Sequence, residues 1–348
     1  MMKSDAVFHF WFPVLAIVVP LAVIVALTDQ FGGLSLQRTV IEMLISIVIV
    51  VGLYIFVGNS GIISFGHATF MAIAAYASAW QTCCEMLKPI TMSGLPPFLR
   101  DQSIPLLPSA LVSILLAGGA AFLTGLVLMR LTGLAASIST LAVLFILNVV
   151  YSNWDSVTMG SASIVGLPTY VTAWLAFGCA LLAIVVAWLY QTSAFGLAIR
   201  ATREDEVAAA ASGISLYWSR LIAFTLSGFV VGLGGVLQAH FLGTVSINNF
   251  FLSFTFLALA MLIVGGMGSL AGAVAGVVVV TTIVDLFRRL EAGISVGGGQ
   301  WSIPAGTQEL IIAAFMLLIL IFRKNGIMAG REIGLPQHTH REKGLVHG

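Results

Sequence analysis

Charge is what this chain of 348 residues has least of. Asp, Glu, Lys and Arg make up 8% of it, apolar residues make up 59%, and the mean hydropathy is +1.07. Globular domains carry about 25% charged residues, because a soluble fold must cover its surface with polar groups. The shortage excludes that class and leaves the bilayer as solvent. A net charge of +1 gives no basic footprint, which excludes a nucleic-acid partner. Cysteine is scarce too. Cys83, Cys84 and Cys179 lack CxxC spacing and form neither a disulfide framework nor a metal site, so they read as small apolar fillers. The chain has no GxxxxGK[ST], HExxH or GxSxG motif, and His9, His67 and His240 sit on separate segments without ligand spacing. It therefore reads as neither an ATPase nor another membrane enzyme, with no cofactor or metal of its own.

What the chain has is long apolar runs. Stretches of about 20 such residues span a bilayer as helices. Candidates are 10–27, 39–57, 62–80, 106–129, 134–151, 170–190, 221–242, 254–266, 272–287 and 310–322. The expected fold is all-α: a polytopic bundle of eight to ten transmembrane helices over residues 1–322, some glycine-broken or re-entrant. A polar, disordered cytoplasmic tail, 323–348, follows. The first run is longer than a signal-peptide core and is read as a retained span. If the N-terminus is cytoplasmic and all ten runs cross, ten basic residues fall inside: Lys3, Arg130, Arg200, Arg203, Arg220, Arg323, Lys324, Arg331, Arg341 and Lys343. Five fall outside: Arg38, Lys88, Arg100, Arg288 and Arg289. Arg288 and Arg289 fit worst, and a re-entrant hairpin over 254–287 would explain them. The loops 81–105 and 152–168 fall outside, and 191–220 falls inside.

That inner loop reads AFGLAIRATREDEVAAAASGISLYWSR over 194–220. Thr202 is placed to cap a helix whose first turn holds Glu204, Asp205 and Glu206, where negative charge suits the dipole. Ala208 to Ala211 favour helix, and Gly213 is placed to end it as the C′ residue. A helix of about ten residues is too short to stand alone in water, so it needs a surface. Two surfaces are open: a partner's groove, which a small-residue helix can enter deeply, or the membrane face of its own chain.

RATREDEVAAAASGI (200–214) resembles the coupling loop of ABC-transporter permeases of the branched-chain amino acid (Liv-type) importer family. The matching positions are Arg200, Arg203, Glu204, Asp205, Glu206, Ala208, Ala209 and Gly213. Gly213 stands seven residues after Glu206, where the broader loop pattern has six. GNSGIISFGHATFMAIAAYASA (58–79) is similar to the family's G-x-x-S-x-G-H-A-x-F segment, with Ala75 at a usual glycine. VGGMGSLAGAVAG (264–276) is similar to its glycine hairpin, and LSGFVVGLGGVLQAHFLG (226–243) to the helix after the loop. The resemblance implies a multi-pass inner-membrane permease subunit of an importer, moving branched-chain or other small amino acids; urea or amide importers share the motifs. It implies a second permease subunit, two ABC ATPase subunits that bind ATP and Mg, and an extracytoplasmic substrate-binding protein, all amid membrane lipid.

The glycines give a second clue. Gly228 and Gly232, and Gly268, Gly272 and Gly276, are spaced for close helix packing. Gly58 and Gly61, and the GGMG of 265–268, break helices instead, and irregular backbone at membrane depth needs protein or a wet path around it. Asn59, Ser64, His67, Gly265 and Gly266 are therefore candidates for the translocation path. For His67, a hydrogen bond to a neighbouring helix is the plainer role. Glu42 and Asp285 lie near outer ends, where snorkelling or pairing of Asp285 with Arg289 explains them. A secondary transporter also has broken helices, but mid-span carboxylates to couple ions are nearly missing here.

Overall fold

The computed structural model describes residues 2–83, 88–291, 294–296, 299–301, 304, 306–323, 326–330 and 332. The apolar runs form α1 (Met2–Phe31), α2 (Leu34–Leu53), α3 (His67–Thr82), α4 (Leu106–Leu128), α5 (Gly133–Ser152) and α6 (Ala173–Thr192). The inner loop folds into α7 (Ala194–Glu204) and α8 (Glu206–Ala211). After it come α9 (Leu216–Leu242), α10 (Leu252–Gly265), α11 (Leu270–Glu291) and α12 (Thr307–Phe322). Every expected span thus holds a helix, although residues 62–66 of the span 62–80 are irregular. Among the described residues, eight helices are long and apolar enough to cross a membrane. The exceptions, α3 and α12, have 16 residues each. Sixteen residues rise about 24 Å against roughly 30 Å of hydrocarbon, so α3 needs the irregular residues 61–66 to complete its crossing.

α2 is the axis of the bundle. Residues 47–58 are all buried, with α6, α9, α10 and α11 packed round α2. Inside a bilayer apolar side chains gain nothing by leaving lipid, so packing depends on close backbone approach. A methyl at Gly232 of α9 would lie 2.7 Å from the Ala117 Cβ of α4, and Gly228 faces Ala121 in the same seam. This pair therefore packs two helices of one chain. Gly272 and Gly276 of α11 face the α10 backbone. Gly268 departs from the expected spacing: it lies in the turn between the helices and faces Gly330.

The stretches Ile247–Gly265 and Leu270–Glu291 are each long and apolar enough to cross, so the pair α10–α11 needs no re-entrant hairpin. At the far end of α11, Arg288 pairs with Glu42 at 3.1 Å, and Asp285 accepts a 2.8 Å hydrogen bond from Thr39. Thr39 and Glu42 belong to the first turns of α2, so α11 runs as far as α2 does. Asp285 also pairs with Arg289 at 2.7 Å, as its four-residue spacing predicts. This end gathers the loops 81–105 and 152–168. The Trp80 indole donates to the Val157 carbonyl at 2.9 Å, and β1 (Ile164–Val165) pairs antiparallel with β2 (Thr244–Val245). A short hairpin, β3 (Ile294–Val296) with β4 (Gly299–Trp301), precedes α12. Cys84 and the histidines 338, 340 and 347 lie outside the described residues.

Candidate functional site

At the opposite end, both helix breaks and the α7–α8 loop meet. α2 loosens into a π turn at Tyr54–Gly58, a form common at functional sites. Asn59 is fully buried there, and its Nδ2 donates to the Tyr54 and Ile55 carbonyls at 3.3 and 3.0 Å. Its Oδ1 accepts 2.7 Å from Arg200 Nε, and Arg203 Nη1 donates to the Gly58 carbonyl at 2.7 Å. Two cations of α7 thus cap the C-terminal end of α2, where orphan carbonyls and the dipole both favour positive charge. Arg200 and Asn59, reached by separate lines from the sequence, form one contact.

The contact extends further. Arg200 Nη2 donates to Gln191 Oε1 at 3.0 Å and lies 3.1 Å from the Tyr54 hydroxyl, which itself donates to Gln191 Oε1 at 2.6 Å. Gln191 Nε2 donates to Glu332 Oε1 at 3.3 Å. That carboxylate accepts from the Leu270 and Ala271 amides at 2.7 and 3.4 Å and so caps the N-terminus of α11. The α10 carbonyls Val264 and Gly265 accept from the Ile327 and Met328 amides at 2.9 and 3.1 Å. Part of the segment expected as a free tail therefore closes the second break. The breaks themselves touch: a methyl at Gly58 would stand 2.8 Å from the Met267 carbonyl.

The loop differs from its expected shape in one respect. It is not one helix capped by Thr202, which is buried inside α7 with its hydroxyl on the Ile199 carbonyl at 2.7 Å. Asp205 is the cap of α8, accepting from the Val207 and Ala208 amides at 2.8 and 3.0 Å. Glu204 closes α7, and only Glu206 begins α8. Gly213 does end the helix as its C′ residue, with φ +83°. Its amide reaches the Ala210 carbonyl and that of Ile214 reaches Ala209, at 3.0 and 3.1 Å, a Schellman motif. Ala209 turns inward and is 4% exposed, while Val207 is 80% exposed and Ala208, Ala210 and Ala211 share the open face. Glu206 pairs with Arg220 of α9, whose side chain is buried, and this moors α8 to the bundle.

Between the loop and the breaks runs a groove of about 480 Å³, lined by Ser60, Gly61, Arg203, Glu204, Glu206 and Met267 among others. Ser64 and His67 lie deeper and are buried. His67 Nδ1 is 2.8 Å from the Ser64 hydroxyl, three residues back rather than on a neighbouring helix. Its Nε2 has no partner among the described residues, and Phe56, Phe70 and Phe224 surround the ring. The cavity beside it measures about 10 Å³, room for about one water and too small for an amino acid. Gly265 and Gly266 abut the backbones of Gly272, Gly276 and Gly326.

Tyr54, Gln191, Arg220 and Glu332 were not legible as site residues. Their side-chain partners stand 9 to 146 residues away in sequence, and no periodicity joins them.

An all-α membrane bundle with two broken hairpins and a moored loop helix at one end defines a transport permease. The family described as "Branched-chain amino acid transport system / permease component" matches residues 35–320, and the chain belongs to it. It is 26% identical over 319 residues to the high-affinity branched-chain amino acid transport permease LivM of Escherichia coli K12, covering 82% of this chain and 68% of LivM. It is 28% identical to the autoinducer 2 import permease LsrC of E. coli O9:H4 over 62% of this chain and 63% of that one. The galactose/methyl galactoside import permease MglC of E. coli K12 is 26% identical over 54% of this chain and 60% of its own length. No solved structure matches.

Proposed function

We propose that the chain is the permease subunit of an ATP-driven importer for branched-chain or other small amino acids. The observation that carries this reading is the α7–α8 loop: a small, exposed helical face, made of Val207, Ala208, Ala210 and Ala211, on a helix whose neighbour inserts two arginines into the first break. ATPase subunits that closed on ATP would press on α8. Glu206–Arg220 would pass the displacement to α9, and Arg200 and Arg203 would pass it to the end of α2. A helix end held by two cations has two discrete states, capped and uncapped, and the loop's position selects between them. The path would then open alternately to either side of the membrane beside Asn59, Ser64 and His67. On this reading the loop end is cytoplasmic, a second permease completes the path, and a soluble binding protein delivers substrate to the opposite end. Amino acids are favoured over sugars because the LivM match covers far more of the chain than the MglC match.

The test is extraction from native membranes in mild detergent with a tagged chain, followed by identification of copurifying proteins. A stoichiometric P-loop ATPase with a second permease is the expected result. A chain that comes out alone, from membranes whose other complexes survive, overturns the reading in favour of ion-coupled transport. A Val207→Glu variant should keep the fold and lose the ATPase.

A further inference from the structure

A second polar feature of the loop end takes no part in the break network. Where α4 ends and α5 and α9 begin, an open cleft of about 430 Å³ is lined by Met129, Arg130, Thr132, Leu216, Tyr217 and Arg220. Thr132 is the N-cap residue of α5 and Leu216 follows Ser215, the N-cap residue of α9, and neither cap side chain hydrogen-bonds its helix. Two long helices therefore present amides at the cleft without a side-chain cap. Unsatisfied N-terminal amides and the positive dipole end favour an anion.

Helix starts alone are not a site, and the arginines add the independent observation. Arg220 is 3% exposed yet lines the cleft. Its Nη2 is taken by Glu206, and its Nε has no hydrogen-bond partner among the described residues. Arg130 makes no ion pair among the described residues. Its guanidinium lies 6.0 Å from the centre of the Tyr217 ring, which fixes it over an aromatic face at the cleft's edge. Two arginines against one glutamate leave one positive charge in the cleft. Trp218, next in sequence, is 55% exposed, as an aromatic at the level of lipid headgroups would be.

We propose that this cleft binds a phosphate-bearing anion through Arg130, Arg220 and the amino ends of α5 and α9. A planar guanidinium with several donors suits phosphate oxygens. The shared chemistry admits two sources, the phosphodiester of an anionic lipid headgroup or a soluble phosphate. Basic clefts between spans at a membrane face hold anionic headgroups elsewhere.

The test uses the purified full chain in mild detergent, with binding read by native mass spectrometry and by thermal unfolding. The probes are phosphatidylglycerol, phosphatidylcholine and inorganic phosphate. Arg130→Gln is the main variant, since Arg130 is exposed and its loss leaves the Glu206–Arg220 tie in place; Thr132→Val is the second. Phosphatidylglycerol should bind and raise the unfolding temperature, and phosphatidylcholine should not. Arg130→Gln should weaken binding about tenfold, the loss of one charge-assisted hydrogen bond. Binding of inorganic phosphate with the same dependence on Arg130, and without a lipid preference, supports the site and assigns the soluble source. Equal binding of phosphatidylglycerol by wild type and both variants, or no binding of any probe, overturns the proposal.

Discussion

The two helix breaks share a composition and differ in what closes them. At Gly58–Gly66 the end of α2 is capped by charged side chains from the loop, Arg200 and Arg203, across 141 and 145 residues of sequence. At Gly265–Ser269 the end of α10 is capped by backbone amides of Ile327 and Met328, and α11 starts on the Glu332 carboxylate. The first break is therefore tied directly to the element that a motor would move. The second is tied to a passive segment of the same chain, and its hydrogen-bonded link to the loop among the described residues runs from Glu332 through Gln191 to Arg200. Glycines make a break possible; the cap decides what can open it.

Three substitutions separate the two, in falling order of expected effect. Arg200→Leu leaves Asn59 Oδ1 buried without its partner and removes a donor from Gln191, at a cost of about 2–4 kcal/mol. Thermal unfolding in detergent should show the largest fall in midpoint for this variant; a fall no greater than that of Glu332→Gln would erase the distinction. Glu332→Gln keeps its shape but removes the charge at the α11 start, worth about 0.5–1 kcal/mol. Amide exchange should quicken at Leu270 and Ala271 and stay unchanged at residues 58–66, and a response at both breaks would mean they are one unit. Gly213→Ala forces a side chain into positive φ at about 1 kcal/mol. Exchange should quicken at residues 213 and 214 among the loop amides, whose bonds to Ala210 and Ala209 make up the motif, with both breaks silent.

Much of this architecture is legible from the residues. Apolar runs located every span because a bilayer requires about 20 such residues, and glycine clusters located both breaks because a helix tolerates them poorly. Gly213 was legible because a helix end needs a residue at positive φ. The cap of α8 was not: Thr202 and Asp205 are both good caps, and only the burial of Thr202 against Ile199 chooses between them. Nor could the sequence reveal that Ala209 faces its own bundle while Val207 faces out, since a short alanine run has no amphipathic pattern. Glu332 was hidden for another reason. A carboxylate after the last span looks like a solvated tail, and its partner is a backbone end 62 residues earlier.

The most direct measurement is hydrogen exchange at residues 58–66 in the complex with ATPase subunits proposed above, with and without a non-hydrolysable ATP analogue. Wild type should be compared with an Arg200→Gln, Arg203→Gln double variant. A nucleotide-dependent change in wild type that vanishes in the variant is the predicted result. An equal response in both would show that the loop does not act through the α2 cap, and would contradict the account.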